Sequence, residues 1–325
     1  MAGTSLTVAL TGGTGFVGRY VLRQLLDAGH YVRVLVRSAQ DHDTTLPEGA
    51  NATTIEGDLF DAAALTELVE GADAVVHLVG IIMERPSTGQ TFKRIHIEGT
   101  RNLIKAATDT QHATQNKSVS QKPCIKKWVH MSALGTRPNA AAMYHRTKWK
   151  AEQLVRNAGL DYTIIRPSII HGPDGEFMQM VRDFWCKFFP PFVVPYFGSG
   201  PLGLGATGRV QPVYVEDVAK LFTAALTNKQ ATNEVYSLGG PDEYTFAKLY
   251  SAVRDHLQKP RNKRIVAIPV WKAKLLAALP GTPFNRDQVI MSQELSTCSN
   301  AKVKNDFGIE PVAFEETLAS YADQL

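Results

Sequence analysis

The 325-residue chain is long enough to bury a sizeable core and long for one domain, so one large lobe or two unequal ones is expected. Charged residues at 20% and hydrophobic ones at 44% are ordinary globular values, and a net charge of +4 with no recognition motif beside it argues against nucleic-acid binding. Cys124, Cys186 and Cys298 lie far apart with no C-x-x-C pair, which argues against a disulfide framework or a zinc site and fits a reducing, cytoplasmic compartment.

The first informative stretch is Leu6 to Gly18, LTVALTGGTGFVG. Leu6, Val8 and Leu10 suit a short buried strand, and Phe16, Val17, Tyr20, Val21, Leu25 and Leu26 recur at helical spacing, so the glycines occupy a strand-to-helix junction. Gly13, Gly15 and Gly18 satisfy G-x-G-x-x-G, and Gly12, Gly15 and Gly18 equally satisfy G-x-x-G-x-x-G. Glycines there permit a tight turn and close approach of backbone to a pyrophosphate, while the helix N-terminus offers N–H groups and a positive dipole end. Gly12, Thr14, Gly15, Phe16, Val17 and Gly18 are therefore the candidate phosphate-binding set of a dinucleotide site. Because the apolar run leads directly into the glycines, neither a signal peptide nor a transmembrane span is expected.

Gly29-His30 closes this helix, and Tyr31 to Val36 forms a second β-rich run ending at Arg37-Ser38. A dinucleotide fold that selects NAD places an acidic side chain about 20 residues beyond the glycines, whereas an Arg accommodates a 2′-phosphate. Arg37 stands at that strand end with Ser38 beside it, so NADP(H) is expected over NAD(H); Asp41 or Asp43 taking the ribose hydroxyl is the alternative. A third strand over 53–57 leads to Asp58-Leu59, a helix follows over Ala62 to Val69, and Ala74 to Val79 makes a fourth strand closing on Gly80. Alternating strands and helices at this spacing indicate a parallel sheet covered on both faces, whose strand ends line a ligand crevice. Asp58, Leu59, Val79 and Gly80 are candidate walls for adenine and ribose. His77, with no acidic neighbour in sequence, reads as a packed histidine.

A helix is expected over Ile95 to Ala107, then a polar loop insertion over Asp109 to Pro123, then a fifth strand, Trp128 to Met131, with Ser132 at its mouth. Tyr144-His-Arg-Thr-Lys148 opens the next helix. Tyr and Lys four apart project from one helix face, so the ammonium can sit near the phenol and favour its ionised form. Such a phenol exchanges a proton with a carbonyl or alcohol oxygen while hydride passes to or from a nicotinamide, and Ser132 can bond the same oxygen.

With these residues assembled, the chain resembles the short-chain dehydrogenase/reductase superfamily, in its extended branch related to nucleotide-sugar epimerases and dehydratases. The resemblance rests on TGGTGFVG at 11–18, GDL at 57–59, HLVG at 77–80, HIEGTRNL at 96–103, Ser132, Tyr144 with Lys148, IIRPSIIHGP at 164–173, QPVYVEDVA at 211–219 and SLGGP at 237–241. It implies that Ser132, Tyr144 and Lys148 are the catalytic set, that Lys148 also holds the nicotinamide ribose, and that Pro167 and Ser168 lie beside the nicotinamide ring. Sugar-nucleotide enzymes usually carry Ser-Ser-x-x-Val-Tyr-Gly before the Tyr and an Asn where this chain has Ser168. The wording HMSALGTRPNAAAMYHRTK, with Val-Leu-Val-Arg at 34–37, is most similar to the atypical subgroup of the Rossmann-fold accessory subunit of respiratory complex I and its bacterial relatives. Members of that subgroup bind NADPH, in several cases without known turnover.

Beyond Asp174 the composition shifts. Phe177 to Phe197 is aromatic and broken by proline, suiting either the core of a small lobe or the wall of an apolar, quinone- or lipid-accepting pocket. Gly198 to Gly208 is a candidate lid with five glycines, and Glu216-Asp217 suits the start of a helix. Tyr244 to Leu257 and Val270 to Leu279 read as helices; core packing is expected for the latter, with contact to a membrane face or partner subunit through the basic residues of 259–274 as the alternative.

The expected fold is an α/β, doubly wound parallel sheet (Rossmann) with a smaller C-terminal α/β lobe: residues 1–175 bind the dinucleotide, 209–240 pack back on them, and 176–325 form the smaller lobe. The expected function is an NADP(H)-dependent oxidoreductase acting on a carbonyl or alcohol of an apolar small molecule. The alternatives are a non-catalytic NADPH-binding assembly or sensor subunit and a nucleotide-sugar epimerase or dehydratase.

Overall fold

The computed structural model describes residues 5–38, 51–115, 125–187, 192–205, 208–279, 282 and 284–325. Strands and helices alternate through β1 (Thr7–Thr11), α1 (Phe16–Asp27), β2 (Tyr31–Val36), β3 (Ala52–Glu56), α2 (Ala62–Val69), β4 (Ala74–His77), α3 (Thr100–Gln115), β5 (Lys127–Met131), α4 (Met143–Arg156) and β6 (Tyr162–Pro167). There follow β7 (Ile170–His171), α5 (Glu176–Cys186), β8 (Val193–Gly198), β9 (Arg209–Val210), β10 (Val213–Tyr214), α6 (Val215–Ala225), β11 (Glu234–Leu238), β12 (Tyr244–Thr245) and α7 (Phe246–His256). The chain ends with β13 (Arg264–Pro269), α8 (Val270–Leu276), α9 (Arg286–Met291), α10 (Ala301–Phe307) and α11 (Phe314–Tyr321).

Seven strands form one parallel sheet in the order β11-β6-β5-β4-β1-β2-β3. Strands covered on both faces need apolar residues at nearly every position, and Val8, Ala9 and Leu10 of β1 are fully buried. On one face Val8, Leu10, Val34 and Val76 pack with Val21 and Leu25 of α1 and with Val218 and Phe222 of α6. On the other, Ala9, Val75, Trp128 and Ile164 pack with Leu68 of α2, Leu103 of α3 and Val155 of α4. Strand order reverses between β1 and β4, which opens a crevice at their carboxyl ends.

The helix expected over Ile95 to Ala107 is longer. A π-helical stretch over Lys93–Gly99 feeds α3, which runs on to Gln115, so 109–115 is helical and not part of a loop. Leu103 and Ala107 anchor α3, and polar composition does not distinguish a solvent-facing helical turn from a loop. The rest of the expected insertion, 116–123, lies outside the described residues.

A third core joins Met178, Val181 and Trp185 of α5 with Val194 of β8, Leu249 and Val253 of α7 and Phe314 and Leu318 of α11. The described part of the 177–197 stretch thus contributes to a packed core, with the Trp185 indole N–H donating to Tyr250 O at 2.9 Å. Three two-stranded sheets, β7-β10, β9-β12 and β8-β13, connect these elements. Core packing fails for Val270 to Leu279: Ala273 is buried, but Trp271, Leu275 and Leu279 are 57%, 65% and 56% exposed. Glu216 and Asp217 lie in the first turn of α6, as expected for a helix start, and Asp217 does more. Its buried carboxylate receives the Val312 N–H at 3.0 Å and pairs with Lys220, tying α6 to the C-terminal segment.

Candidate functional site

The glycine loop is shaped by three different demands. Gly12 has φ +79°, a left-handed conformation that favours glycine, and a Cβ there would lie 3.1 Å from the Val79 amide nitrogen. Gly18 packs so closely that a Cβ would collide with the Gly12 carbonyl oxygen and lie 2.7 Å from Gly13 Cα. Gly15 is the exception: a Cβ there would meet nothing nearer than Gly12 O at 3.4 Å, and the residue faces solvent at the N-cap of α1. No side chain caps that helix, so its first-turn N–H groups face the same open cradle. Fold packing explains glycine at 12 and 18; at 15 the protein itself would leave room for a side chain. Behind the loop, the Phe16 ring packs against Gly172 and Gly175, and Arg19 pairs with Asp174 at 3.3 Å.

The other sequence-derived candidates gather at the carboxyl ends of the same strands. Arg37 is exposed and Ser38 half-buried just past β2, while Asp41 and Asp43 lie outside the described residues. Past β3, exposed Asp58 accepts the Phe60 N–H at 2.7 Å, and Leu59 is buried with its carbonyl receiving the Asn102 amide at 3.0 Å. Val79 touches the loop at Gly12, and Gly80 lies against the Lys148 ammonium, which a Cβ would approach to 2.8 Å. Ser132 follows β5 and donates to Thr136 Oγ1 at 3.3 Å, making no hydrogen bond with the Tyr144 hydroxyl. Pro167 ends β6; Ser168 donates to Ser296 O at 2.9 Å and receives the Gln211 N–H at 3.3 Å, fastening the strand end to the C-terminal segment.

Tyr144, Lys148 and Glu152 lie at successive four-residue steps of α4, hence on one face. The Tyr144 ring is enclosed by the rings of Phe92, His96 and His145, with centroids 5.8, 5.5 and 5.3 Å away. Burial pushes its phenol up to about 12. Lys148 is 2% exposed, donates to Met131 O at 3.0 Å, and is pulled down to about 8 by burial against the opposing pull of Glu152. The expected lowering of the phenol by the ammonium is therefore not what dominates here; desolvation of both groups is. Glu152 is fully buried and holds Arg166 through two bonds of 2.7 and 2.6 Å, which fixes the residue preceding Pro167.

Besides Glu152, three partners were not singled out in the sequence. His96, 1% exposed, accepts the Ile81 N–H on Nε2 at 3.1 Å, so its proton sits on Nδ1, 2.9 Å from Thr147 Oγ1. Asp287 of α9 accepts the Tyr144 N–H at 2.8 Å, doing for α4 what its N-cap residue, Ala142, cannot. Glu294 binds Arg137 at 3.1 and 3.0 Å and lies 3.4 Å from His145 Nδ1. The Glu152 position was legible from its spacing to Lys148; Asp287 and Glu294, more than 140 residues downstream, carry no local signal. His77 is packed as expected, between Thr11 Oγ1 at 2.6 Å and Thr100 Oγ1 at 3.0 Å, and burial lowers it to about 3.

A parallel sheet in this order with a glycine loop at its switch point defines a dinucleotide-binding α/β protein, and the profile of the NAD dependent epimerase/dehydratase family matches residues 8–239. The chain belongs to that family, within the short-chain dehydrogenase/reductase superfamily. It is 28% identical to NADH dehydrogenase [ubiquinone] 1 alpha subcomplex subunit 9, mitochondrial, of Arabidopsis thaliana, over 95% of this chain and 75% of the relative. It is 31% identical to a ceramide reductase of Caulobacter vibrioides over 67% of this chain and 60% of that protein. The dTDP-glucose 4,6-dehydratase DesIV of Streptomyces venezuelae, solved with NAD and TYD bound, shares the fold with a TM-score of 0.73 at 20% identity, over 98% of this chain and 96% of that one. NAD or NADP is the cofactor class of such proteins.

Proposed function

We propose that the protein is an NADP(H)-dependent oxidoreductase acting on a carbonyl or alcohol of an apolar molecule. The observation that carries this reading is the placement of Tyr144 and Lys148 on one face of α4, with Lys148 against Gly80 at the crevice that also holds the glycine loop. The nicotinamide would exchange hydride with the substrate carbon. The loop amides and Gly15 would hold the pyrophosphate, and Arg37 would meet a 2′-phosphate. Asp58, Leu59, Val79 and Gly80 would wall the adenosine half, and Pro167 and Ser168 the nicotinamide. Tyr144, protonated at neutral pH, would donate to a developing alkoxide in reduction and take the proton back in oxidation. Ser132 would orient the same oxygen, and Lys148 would hold the ribose. The ceramide reductase among the relatives supports a lipid-like carbonyl substrate. The lobes read from the sequence, 1–175 with 209–240 and then 176–325, remain our division of labour between cofactor and substrate.

A second reading, a cofactor-stabilised subunit without turnover, is favoured by relatives that cover 95% of this chain and are named as complex I subunits. It is also favoured by the enclosure of Tyr144. One experiment separates them: purified protein is loaded with NADPH or NADH and offered a panel of quinones and long-chain ketones. Oxidation of NADPH that Tyr144→Phe abolishes, with NADPH affinity unchanged, supports the enzyme; tight NADPH binding with no oxidation by wild type supports the subunit. NADH bound as tightly as NADPH by wild type and Arg37→Glu alike removes Arg37 from its role.

A further inference from the structure

Five large apolar side chains stand in solvent on one side of the C-terminal half: Leu202 at 74%, Leu204 at 79%, Trp271 at 57%, Leu275 at 65% and Leu279 at 56% exposure. Trp271 and Leu275 are four residues apart on one face of α8, and Leu279 follows in the turn after it. The 199–205 loop is folded onto the same place: the Trp271 indole N–H donates to Pro201 O at 3.2 Å, and a Cβ on Gly203 would meet the Pro269 nitrogen at 2.9 Å. Scattered exposed leucines need no explanation, but a contiguous group carried on two segments braced against each other does.

The charge around this group is one-sided. The two segments that build it, 184–215 and 256–286, are brought side by side by the parallel pairing of β8 with β13. Together they contain no Asp or Glu and nine Lys or Arg, of which Lys187 and Arg209 pair with Asp183 and Glu243 outside the two segments and Lys263 is buried. Lys259, Arg264, Lys272 and Arg286 are exposed among them. An acidic peptide would pair with the lysines but leave five apolar side chains against water, and a neutral apolar partner would leave the basic flanks unmatched. Both features are satisfied together by an interface with an apolar interior and an anionic rim.

We propose that this face is a docking surface for an anionic lipid membrane, with Leu202, Leu204, Trp271, Leu275 and Leu279 entering the headgroup boundary and the surrounding Lys and Arg meeting lipid phosphates. Docking is peripheral, since no helix among the described residues is long and apolar enough to cross a bilayer. Further along the chain, Asn285 donates to Ile82 O at 3.3 Å and Asp287 receives the Tyr144 N–H. The inference stands whether or not the candidate site turns over a substrate.

Co-sedimentation of the full chain with vesicles of phosphatidylcholine, with and without phosphatidylserine, tests it. Binding is expected only to the serine-containing vesicles, weakened more than about tenfold by Leu275→Asp and by the pair Lys272→Glu and Lys274→Glu. Trp128 and Trp185 are buried and Trp149 is half-buried, so the part of any blue shift of tryptophan emission on binding that is lost in Trp271→Ala reports this face. No binding to either vesicle overturns the proposal, as does binding that both charge and leucine variants retain. So does a dimer of this chain that Leu275→Asp dissociates while wild type ignores vesicles. Unchanged melting temperatures of these surface variants establish that any loss is not unfolding.

Discussion

The Gly12 to Gly18 loop and the Tyr144 corner face the same crevice, yet they are built in opposite ways. The loop is one continuous stretch whose shape comes from its own glycines, and its ligand side is open at Gly15. The corner is assembled from β4, the π-helical stretch, β5, α4 and α9, and its His96 and Lys148 are buried and already bonded to protein. A contiguous, open cradle persists as long as its strand and helix fold. A corner made from distant segments is sensitive to change in any of them, so the two regions can be disrupted separately.

The largest test of this contrast lies inside the loop. Gly18→Val drives a side chain into Gly12 and is expected to destabilise by more than about 4 kcal/mol, leaving no folded protein in circular dichroism. Gly15→Val, at φ −75°, has room within the protein. It should leave the melting temperature nearly unchanged while raising the NADPH dissociation constant about a hundredfold or more by calorimetry. If Gly15→Val binds NADPH like wild type, the cradle is elsewhere.

At the corner, Glu152→Ala leaves Arg166 unpaired and is expected to cost about 3 kcal/mol in urea unfolding, because half of a buried pair is removed. The same change removes the carboxylate that supports the Lys148 charge, so the Lys148 ammonium should titrate below its present value of about 8.

Acid should separate the two regions further. Burial lowers His77 and His171 to about 3, and His96 and His130 well below their usual value. For His77 and His171, between pH 6.5 and about 3, the unfolded chain binds protons that the folded chain refuses, so stability falls as pH falls, by about 1.4 kcal/mol per unit for each; His96 and His130 act in the same direction. Both ring nitrogens of His130 lack a hydrogen-bond partner, so His130→Phe should preserve stability at pH 7 and flatten the pH dependence of the urea midpoint. An unaltered slope in that variant would remove His130 from the acid response.

The smallest expected effect belongs to Asp287→Ala. Losing a borrowed cap on α4 should cost about 1 kcal/mol and leave NADPH affinity as it was.

Sequence alone determined the parallel α/β architecture and the glycine loop, because both are written in short-range patterns: apolar runs at strand length, helical periodicity, and glycines at fixed offsets. The Tyr144-to-Lys148 step and the strand ends carrying Arg37, Asp58, Val79 and Ser132 were legible for the same reason. Tertiary structure decided what surrounds those groups. That the phenol is raised by burial, that Ser168 fastens a strand end, and that Asp287 caps α4 from a distant helix all depend on contacts between residues far apart in the chain. Helical spacing marks an apolar face without saying whether anything covers it, so the same pattern that buries Val21 and Leu25 leaves Trp271 and Leu275 in solvent.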